Sequence, residues 1–245
     1  MNSSKNCRAT APVAIVPTSA GGAPALQNFF ITGTDTGVGK TFVTVQLLAE
    51  FRRHGLRAGA MKPISCGRDG RRDAEKYAAL MNHEQPLDVL NPVYLRHPLA
   101  PFVAAKLERS RINLRQILAS YQLLATSYSP LLVEGAGGLL VPIKRDYFVA
   151  DLARDLGIPL IIVTRLGLGT INHTLLTIRQ AQATGLKIAG IIFNDINGGK
   201  RGLAERTNLK NAPILFPVPI LGVVPHGAHQ AHSVAKEICQ QLLAL

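Results

Sequence analysis

At 245 residues, 47% of them hydrophobic, the chain is long enough to bury the core of one large α/β domain. No apolar run approaches the ~20 residues a bilayer-spanning helix needs, so a soluble protein is expected. The formal net charge is +12, but the basic residues are scattered in pairs such as Arg52-Arg53, Arg71-Arg72, Lys144-Arg145 and Lys200-Arg201. None forms the run of roughly five or six like charges that marks a basic tail. Aromatic residues are only 5% of the chain, so a solvated basic surface is expected and not a nucleic-acid interface. Cys7, Cys66 and Cys239 lie far apart, an odd and sparse set that reads as reduced thiols in a cytoplasmic protein.

Residues 1–27 contain no acid and are rich in Ala, Pro, Ser, Thr and Gly, which suits a flexible, dispensable tail. A mitochondrial-type leader is the alternative, but the stretch carries no strong amphipathic pattern. One domain is expected over 28–245. It opens with the apolar run Phe29-Phe30-Ile31, which breaks into Thr32-Gly33-Thr34-Asp35-Thr36-Gly37-Val38-Gly39-Lys40-Thr41. That is a strand, a phosphate-cradling loop and a helix start. The common spacing is G-x4-G-K-[ST]; here Thr34 occupies the first glycine position and the loop reads G-x5-G-K-T. Lys40 would reach the β- and γ-phosphates, and Thr41 would hold Mg²⁺.

Val43, Leu47, Leu48 and Phe51 then share one helix face, stopped by Gly55. A strand over Ala58–Met61 closes at Lys62-Pro63. Asp73 opens a helix with Ala74, Tyr77, Ala78 and Met81 on one side, and residues 86–101 read as irregular. Asn113 looks like an N-cap, with Gln116 three residues on. Leu131-Leu132-Val133 is a strand ending at Glu134-Gly135-Ala136-Gly137-Gly138. A helix over Val149–Leu156, a strand over Leu160–Val163, and a glycine-bearing loop from Arg165 to Gly169 follow. Next come a helix around Asn172–Thr184, a strand over Ile188–Phe193, a polar helix, a strand over Ile220–Val224, and a last helix from about Ser233. The strands are continuous apolar runs, as in sheets covered on both faces, and strand alternates with helix. The fold class expected is therefore α/β, a doubly wound, mostly parallel sheet with helices on both faces.

In such a sheet ligands gather beyond the carboxyl ends of the strands, where Lys40, Thr41, Lys62, Glu134, the Arg165–Thr170 loop and Asn194 all fall. Glu134 would bind Mg²⁺ beside Thr41, or cap a turn. Lys62 would neutralise charge on a moving phosphoryl group. Asp73 is either a helix cap or a ligand. The first turn after Gly169 would present free N–H groups to a carboxylate, while His173 reads as an ordinary packed helix histidine.

These residues resemble the dethiobiotin synthetase family. The resemblance runs from about Phe29 to Pro225 and rests on Gly33-Thr34-Asp35-Thr36, Val38-Gly39-Lys40-Thr41, Lys62-Pro63, Val133 to Gly138, Gly169-Thr170-Ile171-Asn172-His173 and Asn194-Asp195. It implies a P-loop NTPase-like fold and an ATP-dependent ligase. The implied substrates are 7,8-diaminononanoate, carbon dioxide and ATP, with Mg²⁺ as cofactor. By the same resemblance Lys40, Lys62 and Thr36 are catalytic, and Thr41, Asp73 and Glu134 hold the metal. Nucleotide would lie along Thr36, Gly37, Val38, Gly39, Lys40 and Thr41, with Asp73, Glu134, Asn194 and Pro225. The diamine would meet Lys62, Cys66, Gly135, Gly137 and Gly138. Its carboxylate would meet Gly169, Thr170, Ile171 and Asn172 of the partner subunit, which implies a homodimer. Gly37 and Cys66 depart from the family pattern, where an acid and a hydroxyl are common. Loss of either lysine is expected to abolish turnover and spare the fold.

Three other readings fit the chain less well. Partition and division-site ATPases need a lysine where Asp35 stands, and often a terminal membrane helix. An amidotransferase-type synthase needs a glutaminase domain for which there is no room. A non-catalytic nucleotide-binding regulator would have no reason to keep Lys40, Thr41, Lys62, Asp73 and Glu134 together.

Overall fold

The computed structural model describes residues 26–67, 70–198 and 200–245. Residues 1–25, most of the expected tail, lie outside the described residues; Leu26 is tied to Ser129, its N–H donating to Ser129 Oγ at 2.9 Å. The first half runs β1 (Phe29–Gly33), α1 (Lys40–Arg53), β2 (Gly59–Met61), β3 (Ile64–Cys66), α2 (Arg72–Leu80), α3 (Leu87–Leu90), β4 (Val93–Leu95), α4 (Pro101–Leu107) and α5 (Leu114–Ser127). The second half runs β5 (Leu131–Glu134), β6 (Pro142–Lys144), β7 (Tyr147–Phe148), α6 (Val149–Leu156), β8 (Leu160–Arg165), α7 (Thr170–Ala183), β9 (Ile188–Asn194), α8 (Leu203–Leu215), β10 (Ile220–Val224) and α9 (Ala228–Leu243).

Six strands form one sheet in the order β10-β9-β8-β1-β5-β2, and every pairing is parallel. Each of these strands is apolar along most of its length because the sheet is covered twice. Successive residues of β8 show it: Ile161 and Val163 enter the core built with α1 and α9, and Ile162 enters the core built with α7 and α8. β1 leads through α1 to β2 on the far side of β5, whereas β5 leads through α6 to β8 on the other side of β1. Right-handed crossovers send these two connections to opposite faces, so a crevice opens between the carboxyl ends of β1 and β5. Ile31 pairs with Glu134 at that point.

Three expectations change. Residues 86–101 are not wholly irregular: α3 and β4 lie within them, and β4 pairs in parallel with β3 as a separate small sheet. The prolines hid this, although Pro86 and Pro101 flank helix starts, where a missing N–H costs nothing. β6 and β7 form a two-stranded hairpin too short for a periodicity to show. The last helix begins at Ala228, ahead of Ser233, with Gly227 as its N-cap. The Asn113 cap is as expected, its side chain accepting from the Gln116 N–H at 3.3 Å.

Candidate active site

The loop after β1 is shaped by two glycines with positive φ. Gly37 has φ 75° and faces open space, and Gly39 has φ 87° and caps α1. A Cβ on Gly39 would stand 1.9 Å from Asn194 Nδ2, so only glycine fits there. Asn194 closes β9, is buried, and donates from Nδ2 to the Val38 carbonyl at 3.0 Å. Its Oδ1 is thereby left as an acceptor for another partner. The loop is braced inside as well. The Thr36 N–H donates to Asp35 Oδ1 at 2.7 Å, and Lys40 Nζ donates to the Asp35 carbonyl at 3.0 Å.

Lys40, the first residue of α1, is buried with its ammonium in the crevice. Burial, then the nearby Lys62 charge, lowers its pKa to about 8, against the opposing pull of Glu134, Asp35 and Asp73. Thr41 follows, and its hydroxyl donates to Glu134 Oε1 at 3.0 Å.

Glu134 ends β5 fully buried and gathers the site. Its Oε1 lies 2.5 Å from Lys62 Nζ, and its Oε2 accepts from the Tyr77 hydroxyl. Lys62 leaves β2 and also pairs with Asp73 Oδ2 at 3.2 Å. Burial pushes the Lys62 ammonium down, but Glu134 and Asp73 together outweigh it and hold its pKa above the ordinary lysine value. Burial and the Glu134 charge push the Tyr77 phenol well up. Asp73 lies in the first turn of α2, and no side chain caps that helix. Of the two readings of Asp73, the cap is not what the structure shows: its carboxylate turns to the buried Lys62 ammonium.

Around this centre stand the other predicted residues. Gly135, Gly137 and Gly138 run on from Glu134; Gly135 packs on Phe30 and Val149, while Gly137 and Gly138 press against the phosphate loop. A Cβ on Gly138 would meet the Gly33 carbonyl at 3.2 Å, and one on Gly137 would meet Thr36 Oγ1 at 3.3 Å. Cys66 ends β3, half-buried, with burial and the Glu108 charge raising its thiol to about 11. It is therefore a neutral thiol at physiological pH. Gly169 has φ 90° and caps α7, whose first turn contains Thr170, Ile171 and Asn172. The N–H groups of Ile171 and Asn172 have no carbonyl to take within the helix. Pro225 lines a cleft of about 740 Å³ beyond β9 and β10, together with Asp195, Arg201, Arg206, His226 and Gln230.

Tyr77 and Asn91 are the residues that sequence reasoning overlooked. Tyr77 counts only as a core position by periodicity, yet it follows Asp73 by four residues on one helix, the spacing that puts both on one face. Asn91 donates to the Lys62 carbonyl at 2.7 Å and nothing in the sequence marked it.

The donor set suits a hard cation. Two carboxylates and a hydroxyl converge, and Mg²⁺ commonly takes one or two carboxylates, waters and substrate phosphates. Among the described residues no group of three His, Cys, Asp or Glu side chains converges, so an ion here would depend on a ligand for part of its shell.

Comparison with known proteins gives the same direction. A family model described as an AAA domain matches residues 27–231. The ATP-dependent dethiobiotin synthetase BioD of Thermodesulfovibrio yellowstonii is 41% identical over 81% of this chain and 88% of its own. That of Aquifex aeolicus is 44% identical over 74% of this chain and 81% of its own. Among solved structures, the MinD cell division protein of Aquifex aeolicus superposes with a TM-score of 0.58 at 14% identity, covering 89% of this chain and 98% of that one. At that identity the likeness is one of fold.

Proposed function

The chain belongs to the ATP-dependent dethiobiotin synthetase family, and from that premise we propose how its own residues carboxylate 7,8-diaminononanoate and close the ring with cleavage of ATP. The observation that carries the reading is the meeting of Lys40, Thr41, Lys62, Asp73 and Glu134 at the crevice between β1 and β5.

One amine of the substrate attacks carbon dioxide, forming a C–N bond and releasing a proton, which leaves a carbamate. A carbamate oxygen then attacks the γ-phosphorus of ATP in line, and the bond to the β-bridging oxygen breaks to release ADP. The second amine attacks the carbonyl carbon of the mixed anhydride and gives up a proton as phosphate leaves, and the cyclic urea remains. Carbamate and triphosphate are both anions, so the protein's task is to place them together and neutralise them. Lys62 keeps its proton, because its pKa is held up, and so acts as a fixed positive charge and not as a base. Lys40 is mostly protonated at neutral pH and lies at the helix start, where the phosphates would sit. Thr36 would adjoin the reacting groups from the loop.

Thr41, Asp73 and Glu134 would hold Mg²⁺, which supplies charge neutralisation at the phosphates. Thr36, Gly37, Val38, Gly39, Lys40 and Thr41 would cradle the nucleotide, Asn194 would accept from its base, and Pro225 would line the base cleft. Cys66, Lys62, Gly135, Gly137 and Gly138 would face the diamine, and Gly169, Thr170, Ile171 and Asn172 of a second subunit its carboxylate. Placing those donors on the partner makes the enzyme a homodimer. The scattered basic residues are read as surface and not as a nucleic-acid site. Unpaired Cys66 and Cys239 support a cytoplasmic enzyme. Among the described residues no helix is long and apolar enough to cross a membrane.

The test is ADP release that requires 7,8-diaminononanoate and bicarbonate together, with dethiobiotin as product. Nucleotide hydrolysis indifferent to the diamine would sink the assignment.

A further inference from the structure

Four threonine hydroxyls form a chain from the phosphate loop to the start of α7. Thr34 Oγ1 lies 3.2 Å from Thr164 Oγ1, Thr174 Oγ1 lies 3.0 Å from it, and Thr170 Oγ1 lies 2.8 Å from it. Thr170 Oγ1 also donates to the Arg165 carbonyl at 2.6 Å. A hydroxyl has one proton and two lone pairs, so the direction of every bond follows. Thr170 commits its proton to Arg165, which makes Thr164 the donor in the 2.8 Å contact. Thr164 then has only lone pairs left, and both Thr34 and Thr174 must donate to it. Its capacity is filled. Thr164 and Thr174 are fully buried and Thr170 nearly so, which removes water as a substitute partner.

Thr34 follows β1, and Thr164 lies within the paired β8; the Thr34 N–H also donates to the Val163 carbonyl at 3.0 Å. The near end of the phosphate loop is thus fastened to β8 by backbone and side chain together. The far end of the chain is the first residue of α7. A saturated hydroxyl network holds one arrangement and tolerates displacement poorly.

We propose that Thr164 is a positioning residue that couples the phosphate loop to the start of α7, so that nucleotide bound on the loop raises the affinity of the α7 start for the substrate carboxylate. The proposal rests on the reading above that Gly169 to Asn172 hold that carboxylate. A ligand that holds the loop, and with it Thr34, in the arrangement the network requires favours the same arrangement of Thr170, and linkage makes the effect reciprocal. In the homodimer α7 serves the neighbouring site, so the coupling runs from one site to the other.

Calorimetric titration of the full chain with 7,8-diaminononanoate, with and without a saturating non-hydrolysable ATP analogue, tests this. In the wild type the analogue should tighten diamine binding by about fivefold or more. In Thr164→Val each ligand should still bind alone, with the analogue's effect reduced to less than about twofold. Thr164→Ser keeps the hydroxyl and should restore it. Thr174→Val removes an equally buried bond off the Thr34–Thr170 route, so it should lower thermal stability and leave the coupling. If Thr164→Val does not fold, Thr34→Val cuts the same link from its half-buried end and is read the same way. Undiminished coupling in the variant that cuts the link, or none in the wild type, overturns the proposal. Failure of the wild type to bind the diamine at all overturns the assigned substrate instead, and the proposal with it.

Discussion

Lys62 Nζ lies 2.5 Å from Glu134 Oε1, and both groups are buried. The pair also bears on the fold. A carboxylate with almost no solvent at the end of β5 is tolerable because an ammonium opposes it, so the same lysine serves the fold.

Lys62→Ala should therefore lower turnover by roughly 10²–10³ and also destabilise the protein, by about 3–5 kcal/mol, since it strands a buried charge. Lys40→Ala should cost comparable activity and little or no stability, because burial already disfavours that ammonium. Urea unfolding of the two variants beside the wild type decides it. Equal midpoints would contradict a structural role for Lys62 beyond that of Lys40.

Tyr77→Phe removes the donor to Glu134 Oε2 and nothing else of the ring. A loss of about 1–3 kcal/mol is expected from the unsatisfied buried oxygen. A higher Mg²⁺ requirement for turnover should accompany it, because Glu134 would no longer be held in one orientation. Unfolding curves and a Mg²⁺ titration at fixed ATP measure the two effects separately.

The Lys40 pKa of about 8 predicts that ATP binding to the free enzyme takes up a proton between about pH 8 and 9, as the phosphates draw the ammonium back to its charged form. Calorimetry in two buffers of different ionisation enthalpy reads this directly. The stability consequence has a definite sign. A lysine whose folded pKa falls from 10.5 to about 8 weakens the fold below pH 8, and the penalty fades as pH rises toward 10.5. Binding without proton uptake at pH 8.5 (within about half a unit of the pKa) would contradict the burial of Lys40.

Gly39→Ala should weaken nucleotide binding roughly tenfold or more, since the methyl both meets Asn194 and strains the positive φ. Fluorescent-nucleotide titration checks it. Gly37→Ala, strained in φ but facing open space, should fall between that variant and the wild type.

Much of this was legible in the chain because it rests on local rules. Phe29–Ile31, Leu131–Val133 and Leu160–Val163 are apolar runs between glycines and prolines, and Gly37-Val38-Gly39-Lys40-Thr41 carries its geometry in its glycines. What failed to show depends on distant partners. Asp73 has the look of a cap, and only the fold brings Lys62 close enough to claim it. Tyr77 is apolar by pattern and polar by one atom. Residues 86–101 hide β4 because its mate, β3, lies some thirty positions upstream.

The peptide of Lys62 has a consequence of its own. Its N–H donates to the Leu90 carbonyl at 2.8 Å, and its carbonyl accepts from Asn91, whose amide also reaches the Val93 carbonyl at 3.1 Å. The segment from α3 to β4 thus fixes the backbone from which the ammonium projects. Shortening that stretch by one residue should move the ammonium and lower turnover with Lys62 itself untouched.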